Sequence, residues 1–235
     1  MKKALILTFC ALIIFSTAVY GMAVKKIVDE MNARYNAIIE KSSGIRITQV
    51  IKSMTEDAEL TFNQVITKKG KKYKIVTTSS IELEDKKTRN VIIFDGSDVW
   101  FISPFAGVTL LPRDEAMVQG MFDDFSKLIP IESSLMEDEE VGGEECYVIK
   151  TPEKGNEPFK KIWISKTRFI PLKAWGKYGD DDIVLTFSNY KKVKGIWGIP
   201  YETVTKMNDV KVSKTTVKNV ELNLDIDEGV FGTQY

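Results

Sequence analysis

The chain has 235 residues, with 33 basic and 33 acidic side chains in balance and no histidine. That balance argues against nucleic acid as a partner, which needs a basic stripe, and the missing histidine removes the His-based triads and nearly all zinc sites. Of the two cysteines, Cys10 falls in the N-terminal apolar run, so no intrachain disulfide is expected for Cys146 once that run is cut away.

Met1-Lys2-Lys3 is a short basic segment, and Ala4 to Val19 is almost wholly apolar. Gly21 and Ala23 are small residues suited to a cut after Ala23. This predicts a secretory signal peptide over residues 1–23 and a single mature domain over 24–235. The apolar run is short for a ~20-residue membrane span. Cys10 follows Phe9, where a lipidation motif wants a small residue, so no lipid anchor is expected there. Without residues 1–23 the chain keeps 31 basic and 33 acidic groups, a net charge of −2, and is long enough to bury one core.

Ile27, Met31, Tyr35, Ile38 and Ile39 recur at three and four residues, which predicts a helix over 24–41, ended by Ser42-Ser43-Gly44. Its apolar stripe needs a sheet to cover. From Gly44 onward the period changes to two. Strands are expected from Ile45 to about Met54, around Leu60-Phe62-Gln64-Ile66, along Tyr73-Ile75-Thr77-Ser79-Ile81, and at Val91-Ile92-Ile93-Phe94. The lysines at 68–72 read as a solvated hairpin tip. Short loops between such runs predict an antiparallel meander.

Asp95-Gly96 is a turn signal, followed by the strand Val99-Trp100-Phe101-Ile102 and by Pro104. After Pro112, Met117, Met121, Phe122, Phe125 and Leu128 fall at helical spacing. Two readings stand: a helix closing the sheet core, or a mobile lid over 105–128 above an apolar cavity, with the soft Met and Phe side chains facing it. Gly120 inside this helix costs roughly 1 kcal/mol against alanine, which would keep it marginal.

The acidic stretch 137–145 holds Gly142-Gly143 and reads as a turn, without the spacing of a calcium loop. Strands follow at Cys146-Tyr147-Val148-Ile149, at 160–164, at 169–175, and at Ile183-Leu185-Phe187, and from Ile199 and from Val212 to Leu224. Ten or eleven strands after one helix, with one helical insertion, predict a mainly β fold with helices (α+β): one large, strongly curved antiparallel sheet. Neighbours such as Trp100-Phe101 and Trp163-Ile164 are apolar on opposite faces, so parts of the sheet should be covered on both sides, and a sheet curling towards a barrel can enclose apolar space. Strand parity offers Leu60, Phe62, Ile75, Ile93, Phe101, Ile164, Leu172 and Leu185 as the lining, with Phe105, Met117, Met121, Phe122 and Phe125 opposite them; a one-residue register error would swap the face.

Asp95-Gly96-x-x-x-Trp100-Phe101-x-x-Pro104-Phe105 resembles the DG-x-x-x-WF-x-x-PF stretch of LolA-type lipoprotein carriers. The second half is similar to the related outer-membrane lipoprotein-sorting family, through Gly143-x-x-Cys146-Tyr147-Val148-Ile149, Lys161-Ile162-Trp163-Ile164, Pro171-Leu172-Lys173, the run from Phe187 to Pro200, and Asp227-Glu228-Gly229-Val230-Phe231. The resemblance implies an incomplete antiparallel β-barrel of about eleven strands capped by helices. It implies a periplasmic protein whose apolar cavity shelters lipoprotein acyl chains or other lipids, with inner-membrane release machinery and an outer-membrane acceptor as partners. A monomer without cofactor, metal or catalysis is expected. The same fold leaves a lipid- or lipoprotein-sensing regulatory module (RseB-like) as the alternative. The carriers hold their lid with an arginine in a K-R-P-x-x-F run; the corresponding Lys68-Lys69-Gly70-Lys71-Lys72-Tyr73 has lysine and no arginine. An enzyme would have to use carboxylate pairs such as Asp95 with Asp98, or Asp180 to Asp182, but turns are the ordinary place for aspartate.

Overall fold

The computed structural model describes residues 23–34, 42–55, 58–83, 86–111, 129–153, 159–193 and 196–233. A helix over 23–34 (α1) precedes fourteen strands among these residues. They are β1 (Ile45–Met54), β2 (Glu59–Lys69), β3 (Lys72–Leu83), β4 (Lys86–Phe94), β5 (Val99–Ser103), β6 (Gly107–Leu111), β7 (Ser134–Leu135), β8 (Glu139–Val141), β9 (Glu144–Lys150), β10 (Lys161–Ser165), β11 (Pro171–Tyr178), β12 (Asp181–Val193), β13 (Ile196–Met207) and β14 (Val210–Leu222). A 3-10 helix, Glu228–Phe231, follows. The count exceeds the ten or eleven expected because β7 and β8 have two and three residues, too few for any period to register, and because Gly107–Leu111, early in the segment read as a lid, is instead β6, paired along β5 from Ser103–Gly107 to Val99–Leu111.

All strands belong to one antiparallel sheet, ordered β6-β5-β4-β3-β2-β1-β14-β13-β12-β11-β10-β9-β7, with β8 pairing β9. Two meanders are therefore joined where β1 meets β14. No pairing among the described residues links β6 to β7, and the curved sheet stays unclosed. Hairpins close through residues that accept positive φ: Gly142 and Gly143 between β8 and β9, and Asn208 and Asp209 between β13 and β14. A two-residue turn with both φ positive matches the twist of the flanking strands. Register shifts at Thr48/Gln49, Trp163/Ile164, Lys191/Lys192 and Thr205/Lys206 mark bulges. Each bulge bends its strand, which is how so wide a sheet acquires curvature.

Three apolar clusters hold the sheet. Val24, Ile27, Val28 and Met31 of α1 join Val148, Ile149, Ile162, Ile164, Leu172 and Phe187 in the second meander. The expected helix is thus seen over 23–34, while residues 35–41 lie outside the described ones. The second cluster groups Ile45, Ile47, Ile66, Ile75 and Val217 near the β1–β14 seam. The third lies on the opposite face of β3–β5, where Val91 and Ile93 meet Ile226 and Phe231 of the C-terminal segment.

That C-terminal segment is fixed by Lys69 and Lys72, two of the lysines expected to form a solvated tip, and by Lys74 beyond it. Lys69 Nζ donates to the Ile226 carbonyl at 2.7 Å, Lys72 Nζ to Glu228 at 2.7 Å, and Lys74 Nζ to the Val230 carbonyl at 3.1 Å. Lys68 is only 6% exposed. Asp227 caps the 3-10 helix by accepting from the Gly229 N–H at 2.7 Å. Gly44 is required where this segment crosses: a Cβ there would stand 2.5 Å from Ile226 Cδ1 and from the Leu224 carbonyl oxygen.

Candidate functional site

Side chains alternate along a strand, so the register assigns every residue to one of two faces. The inner face is the one carrying Ile47, Ile66 and Ile75, which stand side by side on β1, β2 and β3. That row continues through Ile92 to Phe101 and Thr109. Its members Ile47, Ile66 and Ile75 are at most 6% exposed and fill the base of the face.

The next inner row is polar. Gln49 Nε2 donates to Gln64 Oε1 at 2.6 Å, and Gln64 Nε2 donates to Thr77 Oγ1 at 3.0 Å. This hydrogen-bonded belt crosses β1, β2 and β3 and ends the buried base.

Beyond the belt two further rows cross the sheet. One runs Phe62, Ile51, Thr215, Thr203 and Phe187, over β2, β1, β14, β13 and β12. The other runs Leu60, Ser53, Ser213, Thr205, Leu185, Ala174, Ile162 and Ile149, over eight strands from β2 to β9. Neither row contains a charged side chain. The row between them on the outer face differs: it includes Lys52, Lys214 and Lys173. Lys52 pairs with Glu59 and Lys214 with Glu202, both at 2.7 Å, and the Lys173 Nζ lies 4.5 Å from the Trp163 ring. Across these rows charge therefore sits on the outside of the sheet; elsewhere the inner face carries Lys68, 6% exposed in the base, and Lys191, whose Nζ lies 4.2 Å from the Tyr201 ring. The inner rows pair apolar flanks with a centre of small hydroxyl side chains.

The register sorts the residues proposed from parity. Leu60, Phe62, Ile75, Phe101, Ile164, Leu172 and Leu185 share the inner face. Ile93 does not: it pairs with Lys74 and Trp100 on the outer face and is wholly buried beneath Ile226 and Phe231. Within the inner group, Ile164 and Leu172 are consumed by the core that α1 joins, and Ile75 belongs to the filled base. Leu60, Phe62, Phe101 and Leu185 remain half-buried. Phe105 stands at the β5–β6 turn, 71% exposed, away from any cluster of buried residues. Met117, Met121, Phe122 and Phe125 lie outside the described residues. Sequence reasoning passed over Ile51, Ser53, Thr203, Thr205, Ser213 and Thr215. The signal was present in the alternation Ser213-Lys214-Thr215-Thr216, but small polar residues carry no face label until the register is known.

The titratable groups are committed to holding turns. Asp95 Oδ1 accepts from the Ser97 and Asp98 N–H groups at 2.8 and 2.9 Å, and Oδ2 accepts from Trp100 Nε1 at 3.0 Å. The Asp98 N–H foremost holds this carboxyl below its ordinary value. Glu144 receives the Arg168 guanidinium, with Nε at 3.0 Å, together with the Ser165 hydroxyl. The hydrogen bond from Arg168 is the main cause that brings Glu144 down to about 2. Burial pushes the Cys146 thiol up to about 11, which keeps it an inert packed group. In the acidic stretch Glu139 accepts from the Trp163 indole at 2.8 Å and Asp138 pairs with Lys166 at 2.5 Å. Among the described residues no three acidic or cysteine side chains are placed to hold a metal, and no helix is long and apolar enough to cross a membrane.

Solved structures match this architecture along most of its length. A domain described as an outer membrane lipoprotein-sorting protein, from Vibrio parahaemolyticus, superposes with a TM-score of 0.64 at 18% identity, covering 88% of this chain and 94% of that one. A LolA superfamily protein from Nitrosomonas europaea gives 0.60 at 16% identity, covering 89% and 97%. The fold is LolA-like. A DUF1329 family protein from Desulfovibrio piger shares it, with a TM-score of 0.62 at 18% identity, covering 89% and 97%. A family model described as "Uncharacterized protein" matches residues 122–235. No curated protein matches the sequence. In LolA-like terms, the unclosed sheet is the half-barrel, and the base cluster below the glutamine belt is its filled end.

Proposed function

We propose that this protein is a periplasmic lipid-binding carrier, which shelters lipoprotein acyl chains or other lipids against the inner face of its half-barrel. One observation carries the reading: two inner rows spanning up to eight strands without a charge, opposite an outer row that holds three lysines. Each CH₂ of an acyl chain withdrawn from water contributes ~0.8 kcal/mol. A carrier therefore needs an uncharged surface and no nucleophile or cofactor. Ile51, Leu60, Phe62 and Leu185 are half-buried and supply such a surface beside the filled base. Solved structures of this fold described as lipoprotein-sorting and LolA superfamily proteins support the same reading. Residues 1–23 act as a cleaved export signal, and loading and unloading fall to membrane partners on either side of the periplasm.

The test is native mass spectrometry of the protein isolated from its host envelope, with lipid extraction and N-terminal sequencing of the same sample. A chain beginning near Val24 with bound acylated mass is expected. A chain free of lipid, which also fails to displace the dye N-phenylnaphthylamine from water, would overturn the proposal.

A further inference from the structure

We propose that the inner face reads the ester groups of a neutral glyceryl-ester lipid through the hydroxyls of Ser53, Ser213, Thr203, Thr205 and Thr215; this rests on the lipid-binding reading above. These residues occupy three consecutive strands, β1, β14 and β13. Ser53 stands beside Ser213 and Ser213 beside Thr205, while Thr215 stands beside Thr203. Half-buried apolar side chains bound the group on both sides, Leu60 and Phe62 on β2 and Leu185 on β12, beside Phe187 in the core that α1 joins. Strands lie about 4.8 Å apart, so the hydroxyl zone is roughly 10 Å wide. That is room for a glyceryl unit with its two ester groups, and the flanks take the chains.

The chemistry narrows the ligand. None of the five hydroxyls has a hydrogen-bond partner among the described residues, and none is buried away from solvent. A plain hydrocarbon laid across them would strip their water and return nothing. Ester carbonyls only accept hydrogen bonds, and Ser and Thr hydroxyls can donate them. A free carboxylate or a phosphate placed there gains nothing from Lys52 and Lys214, which point to the outer face and are paired with Glu59 and Glu202, or from Lys191, whose Nζ lies 4.2 Å from the Tyr201 ring. Solvation alone does not explain the composition: at this level of the three strands the outer face carries Lys52, Lys214 and Glu202, whereas the inner face carries uncharged side chains only.

The experiment is competition against N-phenylnaphthylamine with four ligands of equal chain length: a diacylglycerol, the matching dialkyl ether, the free fatty acid, and a synthetic diacylglyceryl-cysteine peptide. The wild type should bind the ester about tenfold or more tightly than the ether, the equivalent of one or two hydrogen bonds. Thr203→Val/Thr205→Val/Thr215→Val keeps side-chain shape and should bring that ratio to about one while leaving ether binding unchanged. The peptide and the diacylglycerol separate a lipoprotein source from a free glycerolipid. Equal binding of ester and ether by the wild type overturns this inference and leaves the carrier reading intact. If none of the four competes, the carrier reading itself fails. The wild-type ratio decides the matter even if the triple variant does not fold.

Discussion

The Asp95 carboxylate accepts the indole N–H of Trp100 at 3.0 Å, while its other oxygen takes the Ser97 and Asp98 N–H groups. One side chain thus closes the β4–β5 turn and fixes the first large aromatic of β5. This gives the Asp-Gly-x-x-x-Trp spacing a mechanical reason. The carboxylate needs Gly96 beside it because φ there is +107°. Replacing Asp95 with alanine should cost about 1–2 kcal/mol, and Trp100→Phe about 1 kcal/mol. The two losses should be less than additive in urea unfolding, since both remove the same contact.

The two faces make opposite predictions for one chemical change. Ile93→Asp buries an unpaired charge under Ile226 and Phe231 and should prevent folding. Phe62→Asp places the charge on the half-buried inner face and should leave the circular dichroism of the sheet intact while abolishing displacement of N-phenylnaphthylamine by lipid. A folded Phe62→Asp variant that binds lipid normally would exclude this face as the binding surface.

Glu144 sets an acid limit on stability. Its carboxyl is lowered from 4.5 to about 2 in the folded chain, foremost by the hydrogen bond from Arg168. A lowered carboxyl contributes stability that is fully present above pH 4.5 and is lost as pH falls from there to about 2. Urea unfolding of the wild type should therefore weaken across that window. Glu144→Gln should be about 2 kcal/mol less stable at pH 7, below the full linkage value because 22% of the side chain meets solvent. Its decline below pH 4.5 should be shallower.

The C-terminal segment behaves as a strap over the outer face. Phe231 is 2% exposed, and Phe231→Ala should cost about 3 kcal/mol through the cavity left against Val91 and Ile93. Gly44→Ala should destabilise as well, since its new Cβ meets Ile226 and Leu224 at 2.5 Å. Hydrogen exchange should show the β3–β5 amides opening more readily in both variants.

Much of this was legible beforehand. Period-two runs located the long strands from Ile45 to Leu222, and the turn residues at Asp95-Gly96 and Gly142-Gly143 placed hairpins where the structure has them. Parity put Leu60, Phe62 and Leu185 on a common face because their neighbours, such as Thr61, Asn63 and Thr186, are polar. The stretch Val91-Ile92-Ile93-Phe94 is apolar at both parities, so alternation is silent there, and Ile93 was assigned to the wrong side.

Local chemistry by itself determined a mainly β chain, its turns, and the alternation of apolar and polar positions, because each depends on residues a few positions apart. Tertiary structure decided which apolar side chains are spent on the core and which stay open. Ile164 and Leu172 are covered by the cluster that includes α1, more than a hundred residues away in sequence, and Ile93 is covered by Phe231. It also decided that Ser53, Ser213 and Thr205 stand abreast, since β1 meets β14 only when the two ends of the chain are brought together. Burial and register are properties of contacts between distant segments, and no local pattern encodes which segment arrives.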